Sequence, residues 1–162
     1  MLEEWLNFVV VGFATLILFI VCAFYEKRSS NALRILLIGI PLGTVLGLFS
    51  DLVLWGTYSY PLGHGLPYLI LNAAIIYGFF VATVLLLQRV RLLRFSIWII
   101  AMVAVYEITN YFFPVWTYKI TPFLGWSSFV LAGYFATAIF IALIGHVFFK
   151  YRFQFINDLI RK

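Results

Sequence analysis

Apolar residues run almost unbroken through five stretches of this chain, near 5–25, 35–56, 67–87, 95–113 and 125–148, separated by short polar or basic segments. Each stretch is close to the roughly 20 residues that an α-helix needs to cross about 30 Å of hydrocarbon. Lipid offers the backbone no hydrogen-bond partner, so a spanning segment must be a helix or part of a closed barrel. Barrel strands are short and alternate in polarity, whereas these runs are long and apolar on every face. The pattern predicts an all-α integral membrane protein, a five-helix bundle forming one transmembrane domain over residues 1–162.

The charged residues between the runs give the bundle a direction. Ten of the eleven Lys and Arg residues fall in the 26–34 loop, the 88–94 loop and the C-terminal tail, and the 57–66 loop has none. By the positive-inside rule the N-terminus is outside and the C-terminus cytoplasmic, as expected of a multi-pass protein of the cell membrane. The first run lacks a basic leader and a small-residue cleavage site, so it reads as a mature helix rather than a signal peptide. The tail from Lys150 to Lys162 mixes aromatic and charged residues and is expected to lie on the inner membrane surface.

Composition supports the membrane reading. The chain is 65% hydrophobic and 10% charged, and a soluble domain needs about a quarter charged residues to cover its surface. A net charge of +5 could suggest nucleic acid, but the basic residues form three short clusters rather than a phosphate-binding stripe. A lone Cys22 gives no disulfide, and no Cys/His cluster has metal-ligand spacing, so neither a metal nor a cofactor is expected.

Polar residues inside the spans carry the candidate chemistry. Asp51, Asn72 and Glu107 each fall a few turns below the outer helix ends, with Asn110 and Tyr111 at i+3 and i+4 from Glu107. A carboxyl in a span costs roughly 2.5–3.5 kcal/mol on insertion scales and normally faces the bundle interior, where it finds a partner. These residues are therefore expected to converge on one polar region, with Tyr68 beside Asn72 and with Ser127 and Ser128 at the same level. Tyr58, Tyr60, Trp116 and Tyr118 in the outer loops read either as walls of that region or as the aromatic belt of the membrane interface. His64 and His146 have no accompanying motif, and His146 suits the last turn of a helix.

Spans two and three resemble spans four and five. In each hairpin an acid is followed by an aromatic turn and then by a proline opening the next helix, at separations of 16 residues (Asp51 to Pro67) and 15 (Glu107 to Pro122). Both hairpins start on the same side, as in a parallel repeat. Helix contacts within the chain or between copies in a homo-oligomer are open to Gly43, Gly47, Gly78 and Gly133.

No catalytic triad order, zinc-helix motif or phosphate-cradling glycine loop is present. What remains is chemistry that needs a protonated acid and an aromatic cavity. A carboxyl in a low-dielectric site favours its neutral form, and aromatic faces stabilise a developing carbocation. Glu107 lies 13 residues beyond Arg94, against 17 from Arg34 to Asp51. It is therefore the deeper acid and the expected proton donor, with Asp51 as its partner.

The stretch EITNYFFPVWTYKITPFLG, Glu107 to Gly125, resembles the repeat of the integral-membrane lycopene cyclases. DLVLWGTYSYP through LNAAIIYG is similar to the small membrane-bound meroterpenoid cyclases. The P-x-E-E element of the lycopene cyclases is replaced here by Pro67-Tyr68-Leu69-Ile70 and Pro122-Phe123-Leu124-Gly125. The resemblance implies an isomerase or terpenoid cyclase acting on a lipophilic isoprenoid, with Glu107 and Asp51 catalytic. The residues alone leave two alternatives: a small proton-coupled transporter or lipid-binding protein, and an accessory subunit of a larger membrane complex.

Overall fold

The computed structural model describes residues 2–53, 58–60, 65–118, 126–148 and 153–160. Five of its helices are long and apolar enough to cross a membrane, and the protein is an all-α multi-pass bundle. Helix α1 spans Leu2–Tyr25 and α2 spans Ser29–Val53. The third span is composite. It starts as α3 (Leu66–Asn72), widens into a π-helical turn over Ala73–Tyr77, continues as α4 (Gly78–Leu86) and tightens into a 3₁₀ turn at Leu87–Arg89. Helices α5 (Leu92–Phe112) and α6 (Trp126–Phe148) complete the spans, and a short α7 (Gln154–Ile160) follows.

The helix ends follow local chemistry. Pro67 sits in the first turn of α3, where its missing N–H leaves no bond unmade. Pro114 disfavours helical geometry in the residue before it, and α5 ends at Phe112. Thr15, Thr44, Thr83 and Thr109 each bond their hydroxyl to a carbonyl one turn earlier in the same helix, which satisfies a polar group without a partner helix.

The third span is the hub. In its most apolar stretch 67% of the residues are buried inside the protein, against 39% for α1. Helices α1, α2 and α6 all pack on α4, while α5 packs on α1 and α6. The closest approach is made by Gly39, Gly43 and Gly47, spaced by four on α2. A methyl group at Gly43 would stand 2.5 Å from the Gly78 Cα, and one at Gly39 2.7 Å from the Ala82 Cα. Gly43, Gly47 and Gly78 are thus used within the chain. A methyl group at Gly133 would meet nothing within 4 Å among the described residues.

Two features at the ends of the bundle complete the fold. The segments following the two acids pair with each other: Tyr58–Ser59 (β1) lies antiparallel to Thr117–Tyr118 (β2), with Tyr58 opposite Tyr118 and Ser59 opposite Thr117. The two hairpins are nevertheless packed differently, since α2 contacts the third span far more extensively than α5 contacts α6 among the described residues. At the other end, the described part of the tail packs on the bundle. Phe153, Phe155 and Ile156 are buried, and Phe155 packs against Phe95 with ring centroids 4.5 Å apart. These three apolar side chains are turned to the protein, where Phe95 at the start of α5 offers an aromatic surface.

Candidate functional site

Asp51 lies in the last turn of α2 and is 4% exposed. The Tyr60 hydroxyl donates to its Oδ1 at 2.8 Å, and Asn72 Nδ2 donates to the Tyr60 oxygen at 3.2 Å. The three side chains form a directed hydrogen-bond chain, from Asn72 through Tyr60 to Asp51, wholly buried. Its geometry depends on the glycine stripe, which lets α2 lie against the segment that carries Asn72. Tyr68, one turn before Asn72, meets Tyr60 edge-on at 5.5 Å and packs against Phe8 and Trp5 of α1.

Glu107 belongs to a second group. It is 6% exposed on α5, and the Tyr134 hydroxyl of α6 donates to its Oε1 at 3.4 Å. Tyr134 also packs with Phe80 and Tyr106, at centroid distances of 5.6 and 6.0 Å. Asp51 and Glu107 are thus both buried at the acid end, each with its own tyrosine. Asn72 and Tyr60 gather at Asp51, and Tyr134, Tyr106 and Phe80 lie beside Glu107 or its tyrosine.

Asn110 and Tyr111 separate on the same helix. Asn110 Oδ1 accepts from the amides of Val115 and Trp116 at 2.9 and 3.0 Å, and Nδ2 donates to the Trp116 carbonyl at 3.0 Å. Its side chain is engaged in folding the turn after α5, which buries Trp116. Tyr111 is 79% exposed and does not join either group. At about 100° per residue, the buried face of α5 centres near Ile99, Tyr106 and Asn110. Glu107 is at the edge of that arc, and Tyr111 lies a further 40° or so beyond it.

No protein-family model, curated protein or solved structure matches this chain. The site is therefore read from its own chemistry. Tyr68 ties the surroundings of Asp51 to the turn after α5, its hydroxyl lying 3.5 Å from the Val115 carbonyl, and β1 pairs with β2. Trp55, Pro61, His64, Lys119 and Pro122 lie outside the described residues, as do the side chains of Tyr58, Tyr118, Ser127 and Ser128. Sequence reasoning missed Trp5, Phe8, Tyr106 and Tyr134. The hydroxyls of Tyr106 and Tyr134, deep in otherwise apolar runs, were the available signal for two of them.

Proposed function

We propose that the acid end of this bundle performs acid-initiated isomerisation or cyclisation of a lipophilic, isoprenoid-type substrate. The observation that carries this reading is the buried chain from Asn72 through Tyr60 to Asp51. Glu107 is the donor expected from depth along the helix; the reading takes Asp51 instead because its conjugate base is the better held, by a tyrosine hydroxyl at 2.8 Å against 3.4 Å at Glu107. In the first step a neutral Asp51 carboxyl gives its proton to a substrate alkene: the π electrons form the new C–H bond and the O–H bond breaks. The Tyr60 hydroxyl holds the carboxylate left behind, since a hydrogen bond to the charged form favours that form. Asn72 fixes the direction in which Tyr60 donates.

The carbocation formed in this step is met by the faces of Tyr60, Tyr68 and Trp116. Loss of a neighbouring proton to the Asp51 carboxylate regenerates the acid and closes the cycle with no redox partner. The resemblance to membrane lycopene and meroterpenoid cyclases supports the same class of reaction.

The test is deuterium transfer. Protein in vesicles made up in D₂O is given a linear polyene, and the recovered lipid is examined for deuterium by mass spectrometry. Parent protein should introduce deuterium, Asp51→Asn should introduce none, and Tyr60→Phe should slow the reaction by about 10²-fold or more, the usual scale of a lost acid–base contribution. Unchanged deuterium incorporation in Asp51→Asn would overturn the reading.

A second reading is favoured by the packing of Trp5, Phe8, Tyr68 and Tyr60 into one continuous aromatic cluster. On that reading the acid end is a rigid face of an accessory subunit. Asp51→Asn would then change stability and assembly, and no protein would alter the polyene.

A further inference from the structure

The basic end of the bundle carries a site of different chemistry. Helix α1 ends in a turn in which the Arg28 amide donates to the Ala23 carbonyl at 2.7 Å and the Lys27 amide to the Phe24 carbonyl at 3.0 Å. Such a cap ordinarily has glycine at its left-handed position. Here Lys27 occupies it, with φ of 55°, although a side chain is disfavoured there. The turn folds beside the end of the third span. Between them is a cavity of about 450 Å³ lined by Glu26, Lys27, Arg28, Ser30, Asn31 and Arg89 among others.

The charges in this cavity are unbalanced. Glu26 is already engaged elsewhere: its Oε1 accepts from Trp98 Nε1 at 2.8 Å, and its Oε2 lies 3.5 Å from Arg94 Nη1. Among the described residues no acid is within ion-pair distance of Arg28 or Arg89, and the buried Nη2 of Arg28 has no hydrogen-bond partner. Burial first, and then the neighbouring Arg89 charge, hold the Arg28 guanidinium below its ordinary range, with Glu26 opposing. Ser30 and Asn31 belong to the first turn of α2, so the positive end of that 25-residue helix lies beside the same space.

Two guanidiniums, a lysine and a helix N-terminus around one small cavity are the donor set for a tetrahedral oxyanion. Arginine pairs with phosphate through parallel N–H bonds, and helix N-termini bind the same group. The cavity lies where α1 and the third span end, on the basic side that the positive-inside rule assigns to the cytoplasm, and the ends of spans are where headgroups are expected. We propose that it binds a phosphate group, supplied in the membrane by the headgroup of an anionic lipid, a recognition mode that basic pockets between spans commonly serve.

The experiment measures thermal unfolding of the full chain in phosphatidylcholine vesicles carrying increasing phosphatidylglycerol, and separately in detergent with inorganic phosphate. The parent should be stabilised by phosphatidylglycerol with saturation. Arg28→Gln and Arg89→Gln should each raise the half-saturating mole fraction about tenfold, as loss of a charged hydrogen bond does. Arg34→Gln removes the same charge from an exposed position on α2 and should change it by less than about twofold, since an exposed charge is screened by salt. Equal responses in all four proteins would reduce the effect to general surface charge and overturn the proposal.

Stabilisation by inorganic phosphate alone, lost in Arg28→Gln, would keep the phosphate site and overturn its lipid source. Native mass spectrometry of the parent decides the matter if the arginine variants fail to fold. One retained phosphatidylglycerol per chain supports the proposal, and no retained lipid together with no phosphate response overturns it.

Discussion

Replacing Gly43 by alanine tests the packing on which the acid end depends. The added methyl would stand 2.5 Å from both the Gly78 Cα and the Tyr77 carbonyl oxygen, both of them backbone atoms that no rotamer change can move away. Ordinary van der Waals contact starts at 3.4 Å, so α2 must retreat from the third span by about 1 Å. A gap of that size forfeits a quarter to a half of each dispersion contact along the seam. The neighbouring approaches, Gly39 to Ala82 and Gly47 to Tyr77 and Ala73, are weakened with it. The expected cost is about 1–3 kcal/mol, the usual range for overpacking.

Gly133→Ala is the matched control. Among the described residues nothing lies within 4 Å of a methyl group added there, and alanine is favoured over glycine in a helix by up to about 1 kcal/mol. Unfolding in mixed micelles with increasing sodium dodecyl sulfate, followed by tryptophan fluorescence, compares the two. Gly43→Ala should unfold at a lower detergent fraction and Gly133→Ala at the same or a higher one. If Gly43→Ala is as stable as Gly133→Ala, the close seam between α2 and the third span is refuted.

Two other positions are tested in the same way. Asn110→Ala removes three buried hydrogen bonds that fold the turn after α5; at about 1 kcal/mol each, it should destabilise by about 2–4 kcal/mol and speed hydrogen exchange at the Val115 and Trp116 amides, whereas unchanged exchange would remove Asn110 from that role. Phe155→Ala takes away the ring that holds the tail on Phe95; with a buried Phe→Ala change costing about 3–5 kcal/mol, tryptic cleavage after Lys150 or Arg152 should quicken at least about tenfold, and an unchanged rate would mean that the tail is not held there.

The spans were legible in the sequence because length and polarity are the conditions for crossing lipid, and they are written locally. Which span is central was not. In water a buried helix is more apolar than its neighbours, but in a membrane the lipid-facing side is apolar as well. Helix α1 is the most apolar of the five, yet the third span is the most buried. The glycines of α2 were visible as a small-residue pattern, while their partner, the Gly78 segment of the same chain, depended on tertiary contacts. The burial of Asp51, Asn72 and Glu107 follows from the cost of a polar group in hydrocarbon, and the structure buries all three.

What the sequence did not carry is who bonds whom. Tyr60 lies in a loop, where the aromatic belt is the first explanation, and only the folded turn brings its hydroxyl to Asp51. Tyr111 was misjudged for a geometric reason: residues at i+3 and i+4 diverge by about 100° around a helix, so they share a face only when that face is broad. The tail likewise has an amphipathic pattern that does not name its partner, and the contact of Phe155 with Phe95 is visible only in the folded chain.

The π-helical turn at Ala73–Tyr77 ties these observations together. A widened turn changes the register between the residues before it and those after it, and such turns often occur at functional sites. Asn72, just before the turn, faces Tyr60 and the acid of α2, while Phe80, just after it, faces Tyr106 and Tyr134 beside the acid of α5. Within the turn, the Ile76 carbonyl accepts from the Tyr106 hydroxyl at 3.2 Å, so α5 supplies a donor where the regular ladder is disturbed. Ala73 and Tyr77 are also the residues against which Gly47 packs. A uniform α-helix would carry Asn72 and Phe80 in a fixed relation set by 3.6 residues per turn. The wider turn lets one central span present a polar group to α2 and an aromatic group to α5 and α6, which is how the surroundings of both acids come to share a single backbone support.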